Sequence, residues 1–239
     1  MAKPRSPVGH TAGKTLASGS VDAFLQKVSA TPLPAHGNGR GRLLFVMDAT
    51  MSRQPTWDAA VSLQAKMFDV TADIGGLDVQ LAFFRGLGEF KASQWVSDPA
   101  TLGKAMSGVR VRGGHTQICR VLRQAIAEAR TTPVQALVYV GDCVEEAADD
   151  VCAVAGELGL LGTRAFVFQE GHERQAEMTF REVARLTGGA FARFDANAVN
   201  QLRELLQAVA VYAAGGRKAL AGHSAQASRA VQQLTHQVR

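Results

Sequence analysis

Apolar and polar positions follow two different periods along this chain, and the switches between them outline a fold. Leu43-Leu44-Phe45-Val46-Met47 is an unbroken apolar run that ends on Asp48. Short runs of this kind, bounded by polar residues, predict strands buried on both faces of a parallel sheet. Ala136-Leu137-Val138-Tyr139-Val140-Gly141-Asp142 repeats the design, again with an aspartate at its end. Val79–Phe84, Ala165–Phe168 and Ala190–Phe194 read as further strands, and Gly86-Leu87-Gly88 predicts a hairpin joining the first of these to an antiparallel partner over Glu89–Val96. The period changes to 3.6 in Ile118, Val121, Leu122, Ala125, Ile126 and Ala129, a helical face that Pro133 closes. Helices are also expected over about 55–73, with Trp57, Ala60, Val61, Phe68 and Ala72 on one face, over 99–107 and 174–187, and along Val199, Leu202, Leu206 and Val209. The acids Glu145, Glu146, Asp149 and Asp150 are expected in the first turns of the helix after the second aspartate-tipped strand, where they complement its dipole. Alternating strands and helices predict an α/β protein: a doubly wound, Rossmann-like, mostly parallel sheet with one antiparallel edge strand and helices on both faces.

Composition adds the boundaries. Residues 1–41 are rich in Pro, Gly, Ser and basic groups and are expected to form a flexible N-terminal arm; residues 42–213 carry the domain pattern. Residues 214–239 are expected as a basic C-terminal helix or tail, with Leu220, Ser224, Ala227, Val231, Leu234 and Val238 spaced alternately by four and three. The net charge of +5 is unevenly spread: residues 1–42 hold six Lys/Arg against Asp22 alone, and residues 215–239 hold four and no acid. Such ends suit nucleic acid or acidic partners, and equally a solvated terminus. No apolar run approaches the roughly 18 residues of a membrane span, so none is expected. With no secretory signal pattern, and with Cys119, Cys143 and Cys152 an odd number in no metal-finger spacing, a reducing, cytoplasmic setting is expected.

The candidate chemistry sits at strand ends. Asp48, Thr50 and Ser52 place three oxygens within five residues of one strand tip, where open α/β sheets bind ligands. Oxygen donors suit a hard cation such as Mg²⁺. The loop Gly113-Gly114-His115-Thr116 adds a hydroxyl, and Asp142 a second strand-tip carboxylate.

This set resembles the von Willebrand factor type A domain and its metal-ion-dependent adhesion site, across roughly residues 42–213. The family's Asp-x-Ser-x-Ser is matched by Asp48, Thr50 and Ser52, its second-loop threonine by Thr116 and its third-loop aspartate by Asp142. The resemblance implies Mg²⁺ (or Mn²⁺) touched directly by Thr50, Ser52 and Thr116, with the aspartates acting through water. It also implies an open position that takes a carboxylate from a partner protein. Family members inside cells often serve as adaptors in larger assemblies, including ones driven by ATPases. Met51 and Cys143 stand where the family often has glycine, so these loops are expected to differ in shape and to hold metal less tightly.

Arg53, Arg110, Arg112 and His115 border the site; they suit guidance of an acidic ligand, and equally a solvated basic rim. Enzymatic readings are weaker. A Mg²⁺-dependent phosphohydrolase of the haloacid dehalogenase type needs an aspartate where Thr50 stands, and no Walker loop, dinucleotide fingerprint or Gly-x-Ser-x-Gly is present. The sequence therefore predicts a metal-dependent protein-interaction module that is not an enzyme.

Overall fold

The computed structural model describes residues 39–50, 54–195 and 199–239. Met51, Ser52, Arg53 and residues 1–38 of the expected N-terminal arm lie outside the described residues, while Arg40 at the end of that arm bonds Asp78 and Gly41 already belongs to the first strand. The apolar runs become strands β1 (Gly41–Asp48), β2 (Leu77–Arg85), β3 (Glu89–Val96), β4 (Ala136–Gly141), β5 (Arg164–Glu170) and β6 (Ala190–Phe194). They form one sheet in the order β3-β2-β1-β4-β5-β6, parallel throughout except for β3, which pairs antiparallel with β2 at the edge. The helices are α1 (Gln54–Asp69), α2 (Pro99–Ser107), α3 (Ile118–Thr131), α4 (Ala148–Leu160), α5 (Arg174–Thr187), α6 (Val199–Ser224) and α7 (Arg229–Gln237). This is the expected doubly wound sheet.

Because β1 is buried on both faces, its residues divide between two cores. Leu43, Phe45 and Met47 pack with α1, α2, α6 and α7, while Leu44 and Val46 pack with α3, α4 and α5. From β1 the chain winds outward to β2 and β3, then returns to the other side of β1 to form β4. That reversal opens a crevice between the carboxyl ends of β1 and β4, the place where such sheets bind ligands.

Three expectations need adjusting. The helix expected to run to residue 73 ends at Asp69; the Thr71 hydroxyl donates to the carbonyls of Met67 and Phe68, a 3₁₀ turn follows at Ala72–Ile74, and Ala72 is exposed. Gly75 and Gly76 take φ of 109° and 81°, which turns the backbone into β2 by a route closed to a continuing helix. Second, the boundary expected at 213/214 falls inside α6, which runs through a break at Gly216 (φ 68°, ψ −164°). Leu220 on α6, Val231 and Leu234 on α7, and Val238 just past the end of α7 are buried in the main core of the domain. Third, Glu145 and Glu146 precede α4 and do not form part of its first turn, which holds Asp149 and Asp150. The two glutamates turn instead toward α3.

Candidate metal centre

Asp48 ends β1 at 1% exposure. Its Oδ1 accepts the backbone N–H of Thr50 at 2.8 Å, the turn an aspartate makes with its own backbone two residues on. The strand tip is fixed on both sides: the Ala49 N–H donates to the Phe84 carbonyl (3.0 Å) and its carbonyl accepts from the Arg112 N–H (2.9 Å). The second contact lays the glycine-containing loop across the tip of β1. The His115 N–H donates to the Gly86 carbonyl (3.2 Å), and a Cβ on Gly114 would lie 2.1 Å from that same oxygen, so only glycine fits there.

Thr116, 5% exposed, is clasped by the loop after β4. Its N–H donates to Glu145 Oε2 (2.8 Å), and its Oγ1 accepts the Glu145 N–H (2.9 Å). A hydroxyl has two acceptor lone pairs, so one is left for a further ligand. Glu146 accepts from the N–H groups of Ile118 and Cys119, the second at 2.9 Å, and so caps the N-terminus of α3. Met47 pairs with Val140 in the parallel register, which sets Asp48 beside Gly141 and Asp142 one residue beyond. The two carboxylates therefore sit on adjacent strand tips. Burial first, and the charges of Asp142 and Asp48 after it, push the Cys143 thiol up to about 12. Burial likewise raises the Tyr139 hydroxyl well above the usual phenol range, with Asp48 the next cause.

No protein-family model matches the sequence, and no curated protein matches it. Solved structures do match in three dimensions. One is the "von Willebrand factor type A from Catenulispora acidiphila", with a TM-score of 0.62 at 18% identity over 74% of this chain and 43% of that one. The fold is that of a von Willebrand factor type A domain. The SpRpn10 VWA domain superposes at a TM-score of 0.53 with 12% identity, over 74% of this chain and 97% of that one. An aerotolerance-related membrane protein from Bacteroides fragilis gives 0.53 with 17% identity, over 70% and 96%. This chain thus spans under half the length of the first of these and nearly all of the other two.

On this VWA fold the described members of the expected set, Asp48, Thr50, Thr116 and Asp142, share the carboxyl end of the sheet. Their chemistry fits Mg²⁺ or Mn²⁺, since two carboxylates with neutral hydroxyls form an all-oxygen donor set. Among the described residues, no cluster of three or more His, Cys, Asp or Glu side chains is arranged to hold a metal. Of the rim, Arg110 and Arg112 are exposed, while His115 Nδ1 lies 3.0 Å from Glu145 Oε1. That contact turns His115 toward the protein's own acid. The backbone of Thr116 and, after it, His115 hold the Glu145 carboxyl below its usual range.

Several residues at this end escaped the sequence reading. Glu170, at the tip of β5, is buried and accepts the Thr56 hydroxyl of α1. It lines a cleft of about 320 Å³ with Asp142, Cys143, His172, Glu173 and Asp195. The signal was present: β5 is a third apolar strand with an acid at its end. Leu87, 88% exposed, stands at the hairpin tip whose flanking carbonyls accept from His115 N–H and, at 2.8 Å, Arg120 Nη1.

Proposed function

We propose that this chain is a metal-dependent protein-interaction module and not an enzyme. Asp48, Thr50, Ser52, Thr116 and Asp142 would hold Mg²⁺ or Mn²⁺. The observation that carries this reading is the placement of Asp48 and Asp142 on adjacent strand tips at the reversal of the sheet, with Thr116 clasped beside them. A bound divalent ion would supply an incompletely neutralised positive charge with room for one carboxylate from a partner protein. Arg53, Arg110 and Arg112 would favour approach of an acidic surface. His115 contributes less to that field because it faces Glu145.

By the family resemblance alone, this chain would act as an adaptor in a larger assembly, such as an ATPase-containing one. Among the described residues no helix is long and apolar enough to cross a membrane. The three free cysteines accord with a reducing, cytoplasmic environment.

The test is a partner search with the full chain in Mg²⁺, repeated with a chelator and with Asp48→Asn. A partner retained in Mg²⁺ and lost under both other conditions supports the reading. A partner that binds equally in chelator and survives Asp48→Asn overturns it.

A further inference from the structure

Beneath the candidate metal centre, the sheet carries two polar groups that its apolar pattern does not call for. Tyr139 stands at the middle of β4, opposite Val46 on β1 and Val167 on β5, on the face covered by α3, α4 and α5. Its ring packs between Phe84 and Phe180, with centroids 6.3 and 5.5 Å away, and the residue is only 3% exposed. The phenol head reaches along the strand to Gly141: a Cβ there would lie 2.6 Å from the hydroxyl oxygen. Gly141 therefore leaves out a side chain so that the hydroxyl can occupy the space. That space adjoins Asp48, which lies two residues beyond Val46 on the same face of the sheet.

Across Gly141 on the other side is Gln169, its register partner on β5, fully buried. Its Nε2 donates to the Glu173 carbonyl at 2.7 Å. Neither the Tyr139 hydroxyl nor Gln169 Oε1 has a hydrogen-bond partner among the described residues. Buried polar atoms almost always find one, and leaving one unmet is costly. A phenylalanine would fill the same aromatic slot without that cost. Two such groups flanking one glycine, one able to donate and the other to accept, sit directly under the Asp48 end of the site.

We infer that Tyr139 is a positioning residue of the metal centre. Its hydroxyl has one proton to donate, and it gives that proton in a hydrogen bond to the Asp48 carboxylate, orienting it when a divalent cation is held above. The inference rests on the metal-binding reading and assigns that site a contributor lying below the loops. It also makes the aromatic cluster of Phe84, Tyr139 and Phe180 respond to metal occupancy.

The experiment compares Mn²⁺ affinity by calorimetry in the wild type, Tyr139→Phe and Tyr212→Phe, with thermal melts of each metal-free protein. The chain has only two tyrosines, and Tyr212 packs against Phe166 in the opposite core, so it serves as the control. The expected result is about five- to tenfold weaker Mn²⁺ binding in Tyr139→Phe, the effect of one hydrogen bond, with a metal-free melting temperature equal to or above wild type. Tyr212→Phe should bind as wild type. In protein labelled with 3-fluorotyrosine, Mg²⁺ should shift the fluorine resonance that Tyr139→Phe removes and leave the other in place. Undiminished Mn²⁺ affinity in Tyr139→Phe, in a wild type that binds, would overturn the role of Tyr139 alone. Absence of binding by the wild type would remove the metal reading and this inference together.

Discussion

The clasp between the loop after β4 and the start of α3 can be tested by Glu146→Ala. The Glu146 carboxylate accepts two backbone N–H groups, those of Ile118 and Cys119, at a helix start whose Gln117 makes no side-chain cap. The first N–H groups of a helix have no partner within it, and loss of a cap costs about 1 kcal/mol, up to about 2. Removing a negative charge from the helix N-terminus adds about 0.3–1 kcal/mol. Together these predict a loss of about 2 kcal/mol. For a domain of this size that corresponds to a fall of about 4–8 °C in melting temperature. Glu146→Gln keeps one good acceptor and loses the charge, so about half the effect should remain. Urea and thermal denaturation followed by circular dichroism give both numbers. Loss of under about 0.5 kcal/mol in Glu146→Ala would show that the cap is not what holds this helix start, nor what fixes Thr116 just ahead of it.

Three further outcomes test other contacts of the domain. Leu234→Ala, in the fully buried face of α7, should cost about 2–4 kcal/mol in denaturant unfolding; an effect below about 0.5 kcal/mol would mean that the C-terminal helices are not part of the core. Gly114→Ala should destabilise the protein by about 1–3 kcal/mol, since the new Cβ would meet the Gly86 carbonyl; unchanged stability in a melt would contradict the close crossing of these two loops. Glu145 has its folded-state pKa lowered, by the Thr116 N–H first and His115 second, relative to an ordinary value of about 4.5. Its contribution to stability is therefore complete above that value and is lost as pH falls through the lower folded value. Denaturation midpoints measured from pH 6 downward should show a shallower acid decline in Glu145→Gln than in wild type, and identical slopes would count against the clasp.

Much of this architecture was legible because burial on both faces leaves no polar position inside a strand. The runs at Leu43–Met47 and Ala136–Val140 could be read directly, and so could the aspartates that end them. The hairpin was marked by Gly86-Leu87-Gly88, and α3 by its period. What the pattern could not convey was partnership over distance. Glu146 lies two residues before α4, yet it caps a helix that starts 28 residues earlier, and no local period encodes such a bond. The stripe through Leu220, Val231 and Leu234 announced an apolar face but not what would cover it; the answer was the domain's own core. Tyr139 occupies an apolar slot in a strand and reads as core filling until the glycine two residues on is seen to make room for its hydroxyl. Of the candidate site, the two carboxylates and Thr116 were legible from spacing and position, whereas Glu145, which holds Thr116, was assigned to the first turn of α4 and lies in the loop before it.

The proposed function stands on a divalent cation held by oxygens from the tips of β1 and β4 and the loop before α3. Calorimetric titration of Mg²⁺ and Mn²⁺ into the wild type, Asp48→Ala and Thr116→Ala tests it most directly. Saturable binding at one site is expected in the wild type, lost in both variants while each remains folded. Equal binding in all three proteins, or binding in none, would contradict it.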